Sequence, residues 1–363
     1  MNDTNPTSVL SGGTSVYGSI AGALDLYSPP VLIAIGVTCN VLVICVMRLP
    51  YFKHVSTSLY MCTNAVVDNA SLLVAFPPHW IHVNFPRLIF RGEHAHFLCK
   101  LFNFVGWGTS NLGIVLTAAM TVERAIAVTF PLHASALCTK RRAKYATVAL
   151  LIFISIKDAH FLLKSTMAPL EFETQLCVID TSDPYVRYYA KTVWPIIQHV
   201  FLFVTFAFII VSNVMIIKQT HSITSLSTSL RTSYRQNGNG NQLTNPARSN
   251  QMKTLTIMLL IDSLSVMVCT LPLTLLHLIN PQFSDPEIGN MLFSIGFFLV
   301  YVNRCGNFFL YCMSGQRFRT ALRLLVCGGA RNLPGGQAFF VTQASRSAGL
   351  VLSASDLNSG QNS

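Results

Sequence analysis

Charge is what this chain has least of. Only 14 of its 363 residues are Asp or Glu and 25 are Lys or Arg, so charged residues make up 11%, against about 25% in soluble domains. So few charges cannot cover a water-facing surface of ordinary size. Signatures of chemistry are missing as well. There is no G-x-S-x-G, H-E-x-x-H or P-loop, which removes the common hydrolase, zinc-protease and nucleotide-hydrolase readings. No catalytic residue, metal site or cofactor is therefore expected. No unit of roughly 20–50 residues repeats, and no paired Gly/Pro interruptions mark two matching halves. Buried charges alone would allow a transporter, but these two absences argue against one. The first 27 residues hold no Lys or Arg and no apolar core, so no secretion signal is read there. The ten cysteines form no compact disulfide framework; most lie in apolar runs, where Cys behaves as a small hydrophobe.

What is present is hydrophobicity. Apolar residues make up 51% of the chain and the mean hydropathy is +0.48. A membrane span needs about 20 mostly apolar residues. Seven segments qualify: 28–49, 57–79, 99–128, 143–164, 190–218, 253–279 and 288–312. The third and fifth exceed the need of a bilayer, which predicts tilt or projection beyond it. Between the fifth and sixth lies "HSITSLSTSLRTSYRQNGNGNQLTNPARSNQ", rich in Ser, Thr, Asn and Gln, which predicts a mobile loop. The expected fold class is an all-α membrane protein, a seven-transmembrane helix bundle. It would comprise an outer amino terminus (1–27), the bundle (28–313), a short amphipathic surface helix (314–327) and a disordered inner tail (328–363).

Orientation follows from basic residues in the loops. With the amino terminus outside, most of the 25 Lys and Arg fall on the inner side, among them Arg48, Lys53, Lys140, Arg141, Arg142, Lys144, Arg317 and Arg319. The net charge of +11 then reads as a topology signal and a match to anionic inner lipids, not as a nucleic-acid surface. Asn2 opens a glycosylation tripeptide compatible with an outer amino terminus, although such tripeptides also occur by chance.

Five ionisable residues remain at membrane depth: Asp68, Lys157, Asp158, Asp262 and Arg304. Such residues face the bundle interior, either as pairs that fix packing or as a site for ion, ligand or switching. Asn303, Asn307 and Tyr311 recur every four residues, with Arg304 on nearly the same helix face. That stripe must point into protein. Lys157 and Asp158 read as an internal polar contact. Cys99 and Cys177 are the only cysteines predicted outside, so they form a bridge or stay as two thiols. Beyond them, "SGQRFRTALRLL" sets Phe318, Leu322 and Leu325 on one face among arginines, an interfacial helix. Cys327 after it is a palmitoylation candidate or a plain thiol.

These landmarks resemble, in order, those of rhodopsin-like, class A, G-protein-coupled receptors over about residues 28–327. "CNVLVICV" carries Asn40, "NAVVDNASLL" carries Asp68, "CTLPLT" carries Cys269 and Pro272, and "NFFLY" carries Asn307 and Tyr311. Arg124 follows Cys99 at the family spacing. Departures are plain too: "ERA" stands for Asp-Arg-Tyr, Thr270 for the sixth-helix tryptophan and Phe308 for the seventh-helix proline. Gly106 stands where amine receptors carry Asp, and Tyr301 where opsins carry lysine. "STSLYMCTNAVVDNASLL" and "NFFLYCMSGQRFR" resemble FMRFamide-type and related neuropeptide receptors of invertebrates.

The resemblance implies a multi-pass plasma-membrane receptor that catalyses nothing. Its implied partners are an extracellular ligand, a peptide in this subgroup, a heterotrimeric G protein, arrestin and membrane lipids, with no nucleic acid. It implies an inner switch of Glu123, Arg124 and Tyr311. Candidate ligand-facing residues in the outer halves of the spans are Trp80, Asn103, Trp107, Ser110, Gln198, His199, Thr274, His277 and Phe297. It also implies a polar pocket of Asp68, Asn303 and Asn307 that holds sodium in the family, with the helix-three position here taken by Gly113. Asp68 and Arg304 lie roughly 17 and 13 Å from the inner ends of their spans at 1.5 Å per residue. Arg304 is therefore expected to replace the sodium and pair with Asp68; Asp262 is the rival partner, and snorkelling to water the remaining option. A chemosensory receptor, or an orphan that couples poorly, is the alternative within the same fold.

Overall fold

The computed structural model describes residues 16–52, 55–85, 95–169, 175–179, 182–236, 246–279 and 286–326. The helices are α1 (Val16–Met47), α2 (Ser56–Ala70), α3 (Phe76–Asn84), α4 (Ala95–Thr129), α5 (Pro131–Leu137), α6 (Lys140–Asp158), α7 (His160–Lys164), α8 (Pro184–Tyr188), α9 (Trp194–Gln236), α10 (Pro246–Ile279), α11 (Pro286–Ser314) and α12 (Gln316–Val326). Two short strands, β1 (Ser165–Pro169) and β2 (Gln175–Ile179), pair antiparallel with Met167 opposite Cys177.

Six helical runs among the described residues are long and apolar enough to cross a membrane: Val16–Met47, Ser56–Ile81, Ala95–Thr129, Pro184–Ser222, Leu259–His277 and Glu287–Met313. The fourth expected span is α6. It opens on Lys140, Arg141, Arg142 and Lys144, and a turn at Ala159 separates it from the apolar Phe161, Leu162 and Leu163. Its charged opening and early end explain why it falls short by length and composition alone, yet it packs in the same bundle against α4 and α2. α4 is the central helix, touching α2, α6, α9 and α10, while α1 packs on α2 and α11.

Local sequence explains where the helices change course. Thr139 accepts from the Arg142 backbone N–H at 3.3 Å and caps α6, and Asp183 caps α8 by accepting from Tyr185 N–H at 2.8 Å. Two wider π turns, Ser71–Ala75 and Tyr189–Val193, each come just before prolines, Pro77 and Pro78 in the first case and Pro195 in the second. A proline lacks the N–H of the regular ladder, and a single wider turn absorbs the mismatch. At Gly36, a Cβ would lie 2.5 Å from Cys305 Sγ and 2.7 Å from Leu72 Cδ1, so α1 packs tightly on α11 and on the first π turn, and any side chain there would force those two to shift.

The core is a layer of Val43, Leu116, Met120, Leu259 and Tyr311. Outward faces carry exposed Ile152, Phe153, Phe208, Val211 and Ile217. On a water-facing protein this would be an unprotected apolar patch; on a membrane bundle it faces lipid.

The fold departs from expectation in three places. α1 begins at Val16, inside the stretch read as the outer terminus. The β1–β2 hairpin adds strand to a bundle expected to be all helix; its five-residue strands are too short for periodicity to register. The polar segment after residue 218, expected to be a mobile loop, is helical as far as Gln236, and helix resumes at Pro246. Extending an established helix adds one hydrogen bond per residue without a new nucleus, so modest propensity is enough. Asn2 and Cys327, and with them the glycosylation and palmitoylation expectations, lie outside the described residues, as does the tail.

Candidate functional site

A cavity of about 420 Å³ opens between α3, α4, α9, α10 and α11 at the hairpin end of the bundle, within the usual size for small-ligand sites of about 300–1,000 Å³. Of the nine expected ligand-facing residues, Asn103, Trp107, Ser110, Gln198, His199, Thr274, His277 and Phe297 line it. Trp80 does not. It lies on α3 turned toward α1, where its Nε1 donates to the Leu26 carbonyl at 3.1 Å. A span boundary read from hydropathy cannot say which way the helix faces after the π turn. His79, one residue earlier, lines the cavity instead and stacks on Phe297 with ring centroids 4.7 Å apart. Trp194 was also missed: it meets Trp107 edge-on at 4.8 Å, and both line the cavity. Both π turns adjoin the cavity, through Ser71 and Ala75 on one side and Trp194 on the other.

One cavity wall is backed by a polar cluster. Lys157 Nζ lies 2.6 Å from Asp158 Oδ1 and donates to Gln198 Oε1 at 2.8 Å. Asn111 donates to Asp158 Oδ2 at 3.0 Å and accepts from Gln198 Nε2 at 2.7 Å. The Gln198 amide is thus committed to joining α4, α6 and α9. His199 Nδ1 lies 2.6 Å from the Pro195 carbonyl oxygen and its Nε2 3.3 Å from that of Thr274.

Arg304 forms the cavity floor. It is 5% exposed, and its Nη1 donates to Asp68 Oδ1 at 3.1 Å while Nη2 donates to Ser110 Oγ at 2.9 Å. Asn64 and Asn307 each donate to Asp68 Oδ2, at 3.3 and 3.0 Å. Asn40, further along, donates to the Arg304 carbonyl at 3.3 Å. Gly113 makes room: a Cβ there would stand 3.7 Å from Arg304 Nη1 and 3.6 Å from Asn64 Oδ1. Asn303 does not join Asp68; its Oδ1 accepts from Ser265 of α10 at 2.9 Å. Asp262 does not pair with Arg304. It is fully buried, and neither carboxylate oxygen has a hydrogen-bond partner among the described residues.

At the α12 end, Glu123 accepts from Ser56 Oγ and is also bonded by Tyr60, both on α2. Arg124 beside it is buried. Cys138 Sγ reaches the Glu123 carbonyl at 3.5 Å; burial pushes its thiol up, Glu123 adds to that and Arg124 opposes it. Tyr311 is buried and meets Phe318 of α12 edge-on at 5.8 Å. Arg319 caps α11, donating to the Cys312 and Met313 carbonyls at 2.9 and 2.8 Å. At the opposite end Cys99 is disulfide-bonded. Cys177 is a β2 residue whose side chain lies outside the description.

The profile of the family described as "7 transmembrane receptor (rhodopsin family)" matches residues 39–311. Among curated proteins, the thyrotropin-releasing hormone receptors of Bos taurus and Ovis aries are each 24% identical over 311 residues, covering 81% of this chain and 76% of theirs. The cysteinyl leukotriene receptor 1 of Cavia porcellus is 24% identical over 231 residues, covering 60% of this chain and 64% of its own.

Proposed function

Since the chain belongs to the rhodopsin family of seven-transmembrane receptors, we propose that it is a plasma-membrane receptor for a neuropeptide, of the FMRFamide-type stock that its motifs resemble. The amino terminus and the hairpin end face outward. Agonist enters the 420 Å³ cavity and favours a helix arrangement that opens the α12 end to a heterotrimeric G protein. The shift is limited by the difference in the ligand's affinity for the two arrangements. Arrestin docks on the same inner face, and α12 lies on lipid headgroups with its arginines outward. The observation that carries this reading is the cavity among five spans, floored by a polar column that runs through Arg304, Asp68 and Asn307 toward Tyr311. The relatives named as thyrotropin-releasing hormone receptors support an extracellular messenger as the ligand.

Within this reading Cys99 bridges to Cys177, tying α4 to the hairpin. Peptide mapping without reduction should recover the two joined, and finding Cys177 as a free thiol would remove the bridge. Glu123, Arg124 and Tyr311 form the inner switch, with Arg124 released toward the G protein on activation. A receptor that binds ligand but couples poorly is the second reading, favoured by Thr270 and Phe308 in place of the family's tryptophan and proline. A G-protein activation assay in expressing cells, challenged with a library of amidated and free-acid neuropeptides, tests both. The expected result is activation by one peptide class, abolished by Arg124→Ala at matched surface staining of an amino-terminal epitope. Silence of the whole library in cells with intact staining would overturn the peptide reading.

A further inference from the structure

The outward face of α6 changes character along its length. Arg141, Lys144, Tyr145, Val148, Ile152 and Ile156 recur at spacings that keep them on one side of the helix, and all are exposed. The opposite side carries Ala143, Ile154 and Asp158, which are buried in the bundle. The exposed side is therefore cationic at its first turn and aliphatic beyond Tyr145. Arg141 Nε donates to the Tyr145 hydroxyl at 3.4 Å, and its guanidinium lies 5.8 Å from the centre of that ring. Arg141, its exposed neighbour Arg142, and Lys144 join no ion pair among the described residues. No Asp or Glu lies between Glu123 and Asp158 in the chain, and the Glu123 carboxylate is held by Ser56 and Tyr60 of α2. Two other outward stripes meet a single exposed cation at that end of the bundle: Val41 and Cys45 of α1 lead to Arg48, and Val211, Val214 and Ile217 of α9 to Lys218.

We infer that this face of α6 is a binding track for an anionic phospholipid. The headgroup sits among Arg141, Arg142 and Lys144, and an acyl chain lies along Val148, Ile152 and Ile156. Only membership of a membrane-spanning family is needed here; the identity of the agonist is not. The dimensions match. From Tyr145 to Ile156 the helix rises roughly 16 Å at 1.5 Å per residue, close to one leaflet, which is half of a hydrocarbon core about 30 Å thick. Tyr145 marks the boundary, since a tyrosine ring packs with acyl chains while its hydroxyl stays at headgroup level. Charge selects the head. Guanidinium groups bind phosphate oxygens through paired N–H donors. Phosphatidylserine adds a net negative charge for the remaining cations. Phosphatidylcholine brings a choline cation that these same side chains repel. A soluble anion would meet the cations but gain nothing from the aliphatic stripe, and a sterol would use the stripe without the charges. A lipid with an anionic head uses both.

The test uses the full-length receptor in lipid nanodiscs that carry a trace of phosphatidylserine or phosphatidylcholine, each with the same photoactivatable diazirine acyl chain. Mass mapping after illumination reads which helix is labelled. Both leaflets hold the same lipids, so the result does not depend on which way the chain is inserted. The α6 segment from Tyr145 to Ile156 should be labelled about tenfold or more strongly by the serine lipid, since each basic residue near an anionic headgroup is worth about fivefold. The α9 segment from Val204 to Ile217, with Lys218 alone at its end, is the internal reference and should show about fivefold or less. Changing Arg141→Gln, Arg142→Gln and Lys144→Gln together should bring the two lipids level on α6 and leave α9 as it was. All three side chains are exposed, so the melting temperature should not move. Equal labelling of α6 by the two lipids overturns the inference. So does a preference that survives the triple change, or one as large on α9. Glycerophosphoserine, the headgroup without chains, should not displace the serine lipid even in large excess; displacement would overturn a lipid as the occupant. No agonist or G protein enters the measurement, so its outcome is separate from that of the peptide reading.

Discussion

The buried pairs Lys157–Asp158 and Arg304–Asp68 are assembled in opposite ways. Lys157 and Asp158 are neighbours in the chain, at the end of one helix, and their contact at 2.6 Å needs the fold only for the supporting bonds that Lys157 donates to Gln198 and Asp158 accepts from Asn111. Arg304 and Asp68 are 236 positions apart and meet only when α11 packs beside α2. The first pair accompanies its helix wherever it goes. The second is a product of assembly, so it reports whether assembly is correct. It also sits between the hairpin-end cavity and the α12 end of the bundle, so a change in the packing of α11 on α2 would disturb it. The local pair has the simpler role of stiffening the cavity wall.

The largest effect should come from the distant pair. Asp68→Asn or Arg304→Ser leaves the other charge buried without its partner, at about 3–5 kcal/mol. Each single variant should lose most of its surface expression and melt at markedly lower temperature after purification, and the double change should recover part of the loss. Strictly additive losses would mean that the two side chains do not act as a pair. Agonist affinity should also be nearly insensitive to sodium at constant ionic strength, because the guanidinium already occupies the carboxylate.

Next in size is Lys157→Met. Asp158 keeps its bond from Asn111, so the expected loss is about 1.5–3 kcal/mol, that of a hydrogen bond to a charged group. Thermal melting of this variant beside Arg304→Ser ranks the two directly; equal losses would erase the distinction between local and distant pairing.

Gly36→Ala sharpens the comparison by moving a helix while leaving both pairs chemically intact. The added methyl meets Cys305 and Leu72, next to Arg304 and far from Lys157. Overpacking of this kind costs about 1–3 kcal/mol. Combined with Arg304→Ser its effect should be less than additive, and combined with Lys157→Met it should be additive. The opposite pattern would show that α1 does not set the position of α11.

The smallest effect belongs to Asp262, a buried carboxylate in neither pair. Asp262→Leu should leave the melting temperature unchanged or raise it, by up to about 1–2 kcal/mol in stability, since a well-packed apolar residue often matches or exceeds a buried polar group. A clear drop would mean that Asp262 has a partner in the resting receptor.

The amino-acid order by itself determined the spans and the inventory of charges among them. Both are local properties: an apolar run and a residue's depth follow from its neighbours. Arg304 could be placed on an inward stripe with Asn307 and Tyr311 because helix periodicity is local too. The order could narrow its partner to Asp68 or Asp262 by depth alone. Only tertiary structure decided between them, because rotation of one helix about its axis leaves the sequence pattern unchanged while it selects which carboxylate the guanidinium meets. The same freedom sent Trp80 toward α1 and His79 into the cavity across a π turn, and gave Asn303 to Ser265. The cavity's lack of acid was a tertiary outcome as well: Asp68 and Asp262 lie in spans that surround it, and packing left both outside its lining.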